Sequence, residues 1–307
     1  MHKQANRRRF LKAAGVTALA GAKLALPRAA TLAGQIPEAG AQSEARLLPG
    51  CCAYSYKKHL DSHAMSMEDF IRKAVDLGLT GVDMTGYWLN PSDPASLTSL
   101  RHFAFKNGVP FSGVACGASM VQADPAMRAQ ALDEIKQWVD ATESLGASHL
   151  RIFAGRLPKG VSFDQAINWT VDSMKRACDY SSKKGIALGV EDHDGVTQTA
   201  EVCLEIMHRV DSPYAGINLD ISHFIPSPGH DSYSQIEACV PYATHTHIHP
   251  SFDNGDPIDL DRVWRMFAKA GYRGYMSAEY EGKEDPATGV PKLIETIRSL
   301  CRKYSSV

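Results

Sequence analysis

Short apolar runs alternate with longer amphipathic stretches from about residue 51 to the end of the chain. Apolar runs of four to eight residues indicate buried strands, and the 10- to 20-residue stretches between them have helical periodicity. Repeated βα units are therefore predicted. The eight predicted strands cover residues 51–56, 81–85, 109–116, 149–154, 186–193, 215–222, 244–249 and 274–280.

The helices between these strands have recognisable ends. Ser66 is predicted to cap the first of them, because Asp69 follows three residues later and the next apolar positions share one helical face as far as Gly78. Eight βα units match a (β/α)8 TIM barrel of roughly 250 residues. A doubly wound sheet is the alternative, but no glycine-rich phosphate loop follows the first strand. Further helices are predicted over residues 125–145, 163–184, 197–210, 260–270 and 289–304.

The N-terminal residues have the pattern of an export signal. Three arginines at positions 7–9 precede an alanine-rich apolar run over residues 13–26, which is too short to serve as a stable membrane anchor. This pattern resembles a twin-arginine signal, and the resemblance implies the twin-arginine export machinery as a partner and a periplasmic or secreted protein. The predicted domains are a signal segment at 1–41, a linker at 42–50 and the barrel at 51–307.

Removal of the signal would change the charge of the chain. Residues 1–41 contain seven Lys or Arg and one acidic residue, so the remainder holds 26 basic and 33 acidic side chains, a net charge of −7. Binding to a nucleic-acid backbone needs clustered cations, which this part of the chain lacks, so nucleic acid is not expected as a partner. The seven cysteines form no zinc-finger spacing and imply no disulfide framework.

Metal-ligating residue types end the last four predicted strands. In a barrel of this kind the active site forms at the C-terminal ends of the strands. Glu191, Asp220, His247 and Glu279 are separated by 29, 27 and 32 residues, about one βα unit each, so each strand supplies one ligand. Three carboxylates and one imidazole favour Mn²⁺, with Mg²⁺, Co²⁺ or Zn²⁺ as alternatives. The four segments read GVEDH, NLDISH, HTHIH and SAEYE.

These segments, together with CAYSY in the first strand and LRIFAG in the fourth, resemble the sugar phosphate isomerase/epimerase family of xylose isomerase-like TIM barrels. The resemblance implies that the same four residues hold one divalent ion. It also implies that Glu191 and Glu279 flank the substrate carbon and exchange its proton as paired base and acid. His223 corresponds to a residue that contacts a substrate oxygen, and His193 is a second candidate for this contact.

Other positions are open to two interpretations. Arg151 either grips a sugar hydroxyl or pairs with a neighbouring carboxylate, and Tyr54 and Trp88 either stack on a sugar or pack at the barrel rim. His249 is a further candidate for substrate binding. It stands where many relatives carry a lysine, so this loop gives no support for phosphate recognition.

Alternation along HTHIH places three histidines on one strand face, of which one or two can reach a single metal. His247 fits best by family register, and His245 is either a ligand or a hydrogen-bonded core residue. The chain also departs from the ketose 3-epimerases, because Thr197 and Asp253 replace a Glu and an Arg of their substrate site.

The expected function is that of an exported, metal-dependent isomerase or epimerase that removes a proton next to the carbonyl of an unphosphorylated sugar. The first alternative keeps the site but ends in elimination, as in a dehydratase or keto-glycoside lyase. The second is a non-catalytic sugar-binding barrel. A phosphodiesterase like endonuclease IV is disfavoured, because the first four strands supply few ligands. The sugar and any oligomeric state stay open.

Overall fold

A computed structural model describes residues 45–226 and 229–305, and the predicted signal segment lies outside them. Eight parallel strands close into one barrel in sequence order, which confirms the predicted fold. The strands are β1 (Arg46–Cys52), β2 (Gly81–Thr85), β3 (Phe111–Ser119), β4 (His149–Phe153), β5 (Ala187–Glu191), β6 (Ala215–Asp220), β7 (Ala243–Ile248) and β8 (Arg273–Ala278).

Helices cover the outside of the barrel. The α-helices of the described residues are α1 (Lys57–Asp61), α2 (Met67–Asp76), α3 (Pro94–Lys106), α4 (Pro125–Leu145), α5 (Phe163–Ser181), α6 (Ala200–Val210), α7 (Ser232–Cys239), α8 (Leu260–Lys269) and α9 (Pro286–Tyr304). The predicted capping box is present at α2, where Ser66 and Asp69 each accept from the other's backbone N–H. None of the described helices is both long and apolar enough to cross a membrane.

The first strand differs most from its prediction. β1 begins at Arg46 rather than at residue 51, and the predicted linker at 42–50 therefore contains most of this strand. Pairing with β8 explains the difference, since Leu47 and Gly50 are in register with Gly274 and Ser277. Proline in the segment had suggested a linker, but Pro49 still offers its carbonyl to the Thr80 N–H. Residues Ala53–Tyr56, predicted as strand, form a short 3₁₀ turn.

Alternation along the strands separates an apolar outer layer from a polar interior. In β6, Ile217 and Leu219 belong to the hydrophobic core between barrel and helices. Asn218 and Asp220 point to the opposite face, where Asn218 donates to Glu191 of the neighbouring strand. The barrel interior is therefore lined by polar groups that must find partners there.

Candidate active site

The four predicted metal ligands meet at the C-terminal ends of their strands. Glu191 ends β5, Asp220 ends β6, His247 lies near the end of β7, and Glu279 follows β8 directly. One donor atom from each lies within 4.8 Å of the others, and all four residues are buried. Asp220 and His247 are direct register partners, so their side chains project at the same level of the barrel.

His247 is oriented by contacts at both ring nitrogens. Its Nδ1 lies 3.0 Å from Glu191 Oε1, 2.5 Å from Glu279 Oε2 and 4.0 Å from Asp220 Oδ2. Its Nε2 lies 3.2 Å from Asp83 Oδ2. A carboxylate on the far nitrogen fixes the ring and raises the basicity of the near one, as it does around many histidine metal ligands. Nδ1 is thus the atom that faces the three carboxylates of the predicted ligand set.

Asp83 was not identified from the sequence as a site residue. It lies on β2, 164 positions before His247, and the closed barrel brings the two side chains together. Ser277 donates its hydroxyl to the other oxygen of Asp83. One signal could have identified it, since a single carboxylate interrupts the otherwise uncharged, fully buried strand GVDMT. A buried charge of this kind requires partners.

Cys52 lies close to Asp83 and His247, with donor atoms within 4.8 Å of both. Burial, reinforced by the Asp83 and Glu279 carboxylates, raises the pKa of this thiol well above its ordinary value. Cys52 therefore adds a buried thiol beside the contact between Asp83 and His247.

Glu191 is fixed as an anion by its neighbours. Asn218 Nδ2 donates to Glu191 Oε1 at 2.8 Å, and Arg151 Nε lies 3.6 Å from the same oxygen. Burial alone would raise the pKa of Glu191, but the Arg151 guanidinium and a hydrogen bond from His247 outweigh it and lower the pKa to about 2. Arg151 thus lies within ion-pair distance of a carboxylate, and it also lines the cavity above the cluster.

Asp220 is held by donors on both of its oxygens. Oδ1 accepts from the Ser222 backbone N–H at 2.8 Å and from its hydroxyl at 2.7 Å, and Oδ2 lies 2.8 Å from His249 Nε2. Its backbone N–H donates to Asp192 Oδ1. Burial opposes ionisation, but His223 and His249 together lower the pKa of Asp220 well below its usual range.

This anionic cluster demands a compensating positive charge. Burial by itself would lower the pKa of His247, yet Glu279 and Asp83 outweigh it and raise this pKa well above the ordinary value. Three buried carboxylate groups around one imidazole suit a divalent cation. The donor set of three carboxylates and one imidazole therefore fits a metal ion.

A cavity opens over the cluster, and five of the six predicted substrate-binding residues line it. These are Tyr54, Arg151, His193, His223 and His249. His223 lies between Asp220 and Asp253, with its Nδ1 2.9 Å from Asp253 Oδ2. Burial would lower the pKa of His223, but Asp220 and Asp253 raise it to about 11, so its ring stays a hydrogen-bond donor.

Trp88, the sixth residue, does not line this cavity. Its indole N–H donates to Asp61 Oδ1 at 3.0 Å, and its ring lies 6.3 Å from that of Tyr54. Trp88 therefore packs behind Tyr54 at the rim, and Tyr87 lines the cavity in its place.

His245 is a core residue rather than part of the ligand set. It lies one step deeper than His247 on the same strand face, and its Nε2 is 3.2 Å from Ser112 Oγ. Its ring stacks on His149 with 5.0 Å between centroids. Burial lowers the pKa of His245 to about 4, so this ring is neutral.

The two departures from the ketose 3-epimerase pattern both fall at the site. The Thr197 hydroxyl donates to the backbone carbonyl of Glu191 at 2.8 Å and accepts from the His193 N–H. Asp253 accepts from His223, as described above. In this chain Thr197 supplies a hydroxyl that fixes the loop after β5, and Asp253 supplies a carboxylate that orients His223.

A comparison with protein families matches residues 71–300 to the xylose isomerase-like TIM barrel family. The chain belongs to this family. A curated mouse (Mus musculus) protein named "Putative hydroxypyruvate isomerase" is 22% identical over 189 residues, which are 56% of this chain and 67% of that protein.

Solved structures share the barrel at low sequence identity. The 3-keto-D-glucoside 4-epimerase YcjR of E. coli superposes with a TM-score of 0.67 and 16% identity, over 83% of this chain and all of that one. The D-psicose 3-epimerase of Clostridium cellulolyticum H10 superposes with a TM-score of 0.69 and 14% identity, over 84% and 99% of the two chains. Together with the family match, these relatives show that the chain shares the barrel fold of known isomerases and epimerases.

Proposed function

We propose that this protein is a divalent-metal-dependent isomerase or epimerase that exchanges a proton next to the carbonyl of an unphosphorylated sugar. The observation that carries the proposal is the convergence of Glu191, Asp220, His247 and Glu279 to within 4.8 Å. The 3-keto-glucoside and psicose epimerases have the same fold, and their names place them in the reaction class proposed here.

These four residues would hold the metal ion, and Mn²⁺ is the proposed ion because hard oxygen donors outnumber the single nitrogen. When bound, a divalent ion would polarise the substrate carbonyl and stabilise the negative charge that develops as the adjacent proton leaves. Asp83 would keep His247 Nδ1 turned toward the ion. Metal analysis of protein purified without chelators tests this part, with about one ion per chain expected.

Glu191 and Glu279 are proposed to move the proton. Glu191 is immobilised by Asn218 and Arg151. Among the described residues, the Glu279 side chain has only His247 within ion-pair distance, and it lines the cavity with 11% of its side chain exposed. Glu279 is therefore the better placed to remove a proton from a bound sugar, and Glu191 to serve as its partner on the return. His223 would donate to a substrate oxygen.

The lining of the cavity favours an uncharged substrate. Its one arginine, Arg151, is already paired with Glu191, and its carboxylates Glu279 and Glu281 would repel a phosphate group. A sugar without phosphate avoids this repulsion. His223 and His249, whose pKa values are raised, each lie within ion-pair distance of Asp220, and His193 and Tyr54 add further donors that suit hydroxyl groups.

The decisive experiment measures solvent deuterium incorporation into a panel of ketoses and keto-glycosides. Glu279→Gln should reduce the incorporation rate by about 10²- to 10⁴-fold, the usual range for loss of a general base. Glu284→Gln is the matched control, since this exposed carboxylate pairs with Lys292 outside the ligand cluster. Undiminished exchange in Glu279→Gln would overturn the proposed mechanism, and release of water or an aglycone would identify a lyase instead.

We also propose that the protein is exported folded through the twin-arginine pathway to the periplasm or beyond. Arg8 and Arg9, within the N-terminal arginine run, carry this proposal. Replacing both with lysine should retain the protein in the cytoplasm, as measured by cell fractionation. Unchanged export of this variant would contradict the assignment.

A further inference from the structure

A second cavity adjoins the one over the metal ligands and shares two of its residues. The cavity over the cluster has a volume of about 100 Å³, whereas its neighbour has about 410 Å³. Phe153 and His193 line both, with their ring centroids 4.8 Å apart, so they form the boundary between the two spaces. We call the larger space the side cavity. Its walls also include Ser119, Val121, Gln122 and Pro158.

The volumes indicate that a ligand extends beyond the metal site. Pockets for small molecules usually measure about 300–1,000 Å³. The space over the metal ligands falls below this range by itself, and the side cavity lies within it. A substrate that places one reacting unit over the ligands and a second unit past Phe153 would fill both.

The charges of the side cavity define the chemistry of that second unit. Arg156 pairs with Asp194 at 2.5 Å, and the second oxygen of Asp194 lies 2.6 Å from His193 Nδ1. Arg156, the one arginine or lysine among the residues that line the side cavity, is thus neutralised by Asp194. This pairing disfavours a phosphate or a uronic acid as the ligand. The rim offers paired charged groups whose free lone pairs and protons can contact hydroxyls.

The remaining walls are divided between apolar and polar side chains. Phe153, Val121 and Pro158 present carbon surface, and Ser119 and Gln122 present a hydroxyl and an amide. A sugar ring has the matching division, since its C–H groups pack on carbon and its hydroxyls need donors and acceptors. Gly155, at φ +105°, lets the backbone form the wall where any side chain would be strained.

We infer that the side cavity binds a second, uncharged sugar unit, so the substrate is a glycoside or disaccharide whose carbonyl-bearing unit lies over the metal ligands. This inference rests on the proposed function, because it takes the cluster as the reacting end. A further cavity of about 860 Å³ adjoins the opposite side through His249 and Glu281. Glu284 and Lys292 pair with each other there, but Lys283 has no ion-pair partner among the described residues, which makes this cavity the less suitable place for a neutral ring.

Binding selectivity tests the inference. The affinities of Mn²⁺-loaded protein for lactulose, palatinose and turanose, three ketose disaccharides with different linkages, are compared with its affinity for D-fructose by calorimetry. At least one disaccharide should bind about tenfold more tightly than the monosaccharide. Gln122→Trp and Pro158→Trp, which fill the side cavity from two different segments, should each reduce this preference at least fivefold.

Two control variants make the result specific. Gln122→Ala leaves the cavity open and should keep the preference, and Thr296→Trp adds the same bulk to the cavity on the opposite side. The inference fails if no disaccharide binds more tightly than fructose, if both side-cavity tryptophans leave the preference unchanged, or if only Thr296→Trp abolishes it. Thermal unfolding of each variant establishes that it is folded.

Deuterium exchange, measured in parallel, separates this inference from the proposed function. If deuterium exchange persists and the side-cavity variants leave the preference for a disaccharide unchanged, the inference of a second sugar unit is refuted and the proposed function is not. If the preference falls as expected but the protein exchanges no proton in any sugar, the proposed chemistry is refuted and the inferred binding site is retained.

Discussion

Two layers of histidine inside the barrel have opposite environments, although each contains a histidine from β7. In the upper layer, His247 faces Glu191 and Glu279 and its pKa is raised well above the ordinary value. In the lower layer, His245 stacks on His149 and burial lowers the pKa of both rings. The residue type is the same, so the opposite pKa shifts come from the neighbours of each ring.

The difference shows how a barrel confines its chemistry. Side chains two residues apart on a strand are separated by about 6.6 Å. Over this distance the partners of the β7 histidines change from a hydroxyl to carboxylates. Below, the partners of the histidines are Ser112 and Thr244. Above, they are carboxylates from β2, β5, β6 and the residue after β8. Charge is thus concentrated at the end of the barrel where the cavity opens.

The largest expected effect comes from replacing the two histidines of β7 one at a time. His247→Gln should weaken metal binding more than about 100-fold, because loss of a ligand should exceed the 10- to 100-fold cost of losing an outer partner. His245→Gln, on the same strand face, is the matched control and should leave metal affinity within a few-fold of the original. Metal content after dialysis and competition titration with a chelator measure both. Equal losses in the two variants would break the distinction between the layers.

A smaller effect is expected from Asp83, which holds His247 from the far side. Asp83→Asn keeps the shape but weakens the contact with Nε2, so metal affinity should fall about 10- to 100-fold. Asp93→Asn serves as the control, since that carboxylate caps α3 at the surface. Competition titration again gives the readout. Metal binding as tight as in the unmodified protein would reduce Asp83 to a structural role.

The upper layer was largely predictable from the sequence, and the reason is local. Glu191 and Asp220 stand at the ends of apolar runs one βα unit apart, so the fold alone brings them to one end of the barrel. Asp83 could not be assigned in this way, because its contact with His247 depends on the closure of the barrel. The position of Arg151 was predictable, but its contact with Glu191 depended on the distance between two strands.

The start of the barrel was misjudged for a related reason. Pro49 and Gly50 are typical of a linker, and only pairing with β8, the last strand of the chain, makes them part of β1. Trp88 shows the same limit at the rim, since the side chain that competes for the indole N–H, Asp61, lies 27 residues away. Local patterns predict elements and strand ends, whereas long-range contacts decide which of two plausible partners a side chain takes.

The smallest expected effect concerns the lower layer and its hydroxyl partners. Thr244 Oγ1 accepts from His149 Nε2 at 3.1 Å and donates to the Ile217 carbonyl at 3.2 Å. Thr244→Val keeps the shape of the side chain but leaves the buried imidazole N–H without a partner, which should lower the free energy of unfolding by about 1 to 3 kcal/mol. Urea unfolding of the metal-loaded protein measures the loss.

The same variant should leave metal affinity unchanged, because Thr244 supports a ring that has no contact with the four ligands. This pairing of lost stability with retained metal binding is the reverse of what is expected for Asp83→Asn. Thr244→Ser is the control, since it retains the hydroxyl and should recover most of the lost stability. If Thr244→Val instead weakened metal binding as strongly as Asp83→Asn, the two layers would have to act as one connected network, and the neutral histidines below would be part of the site.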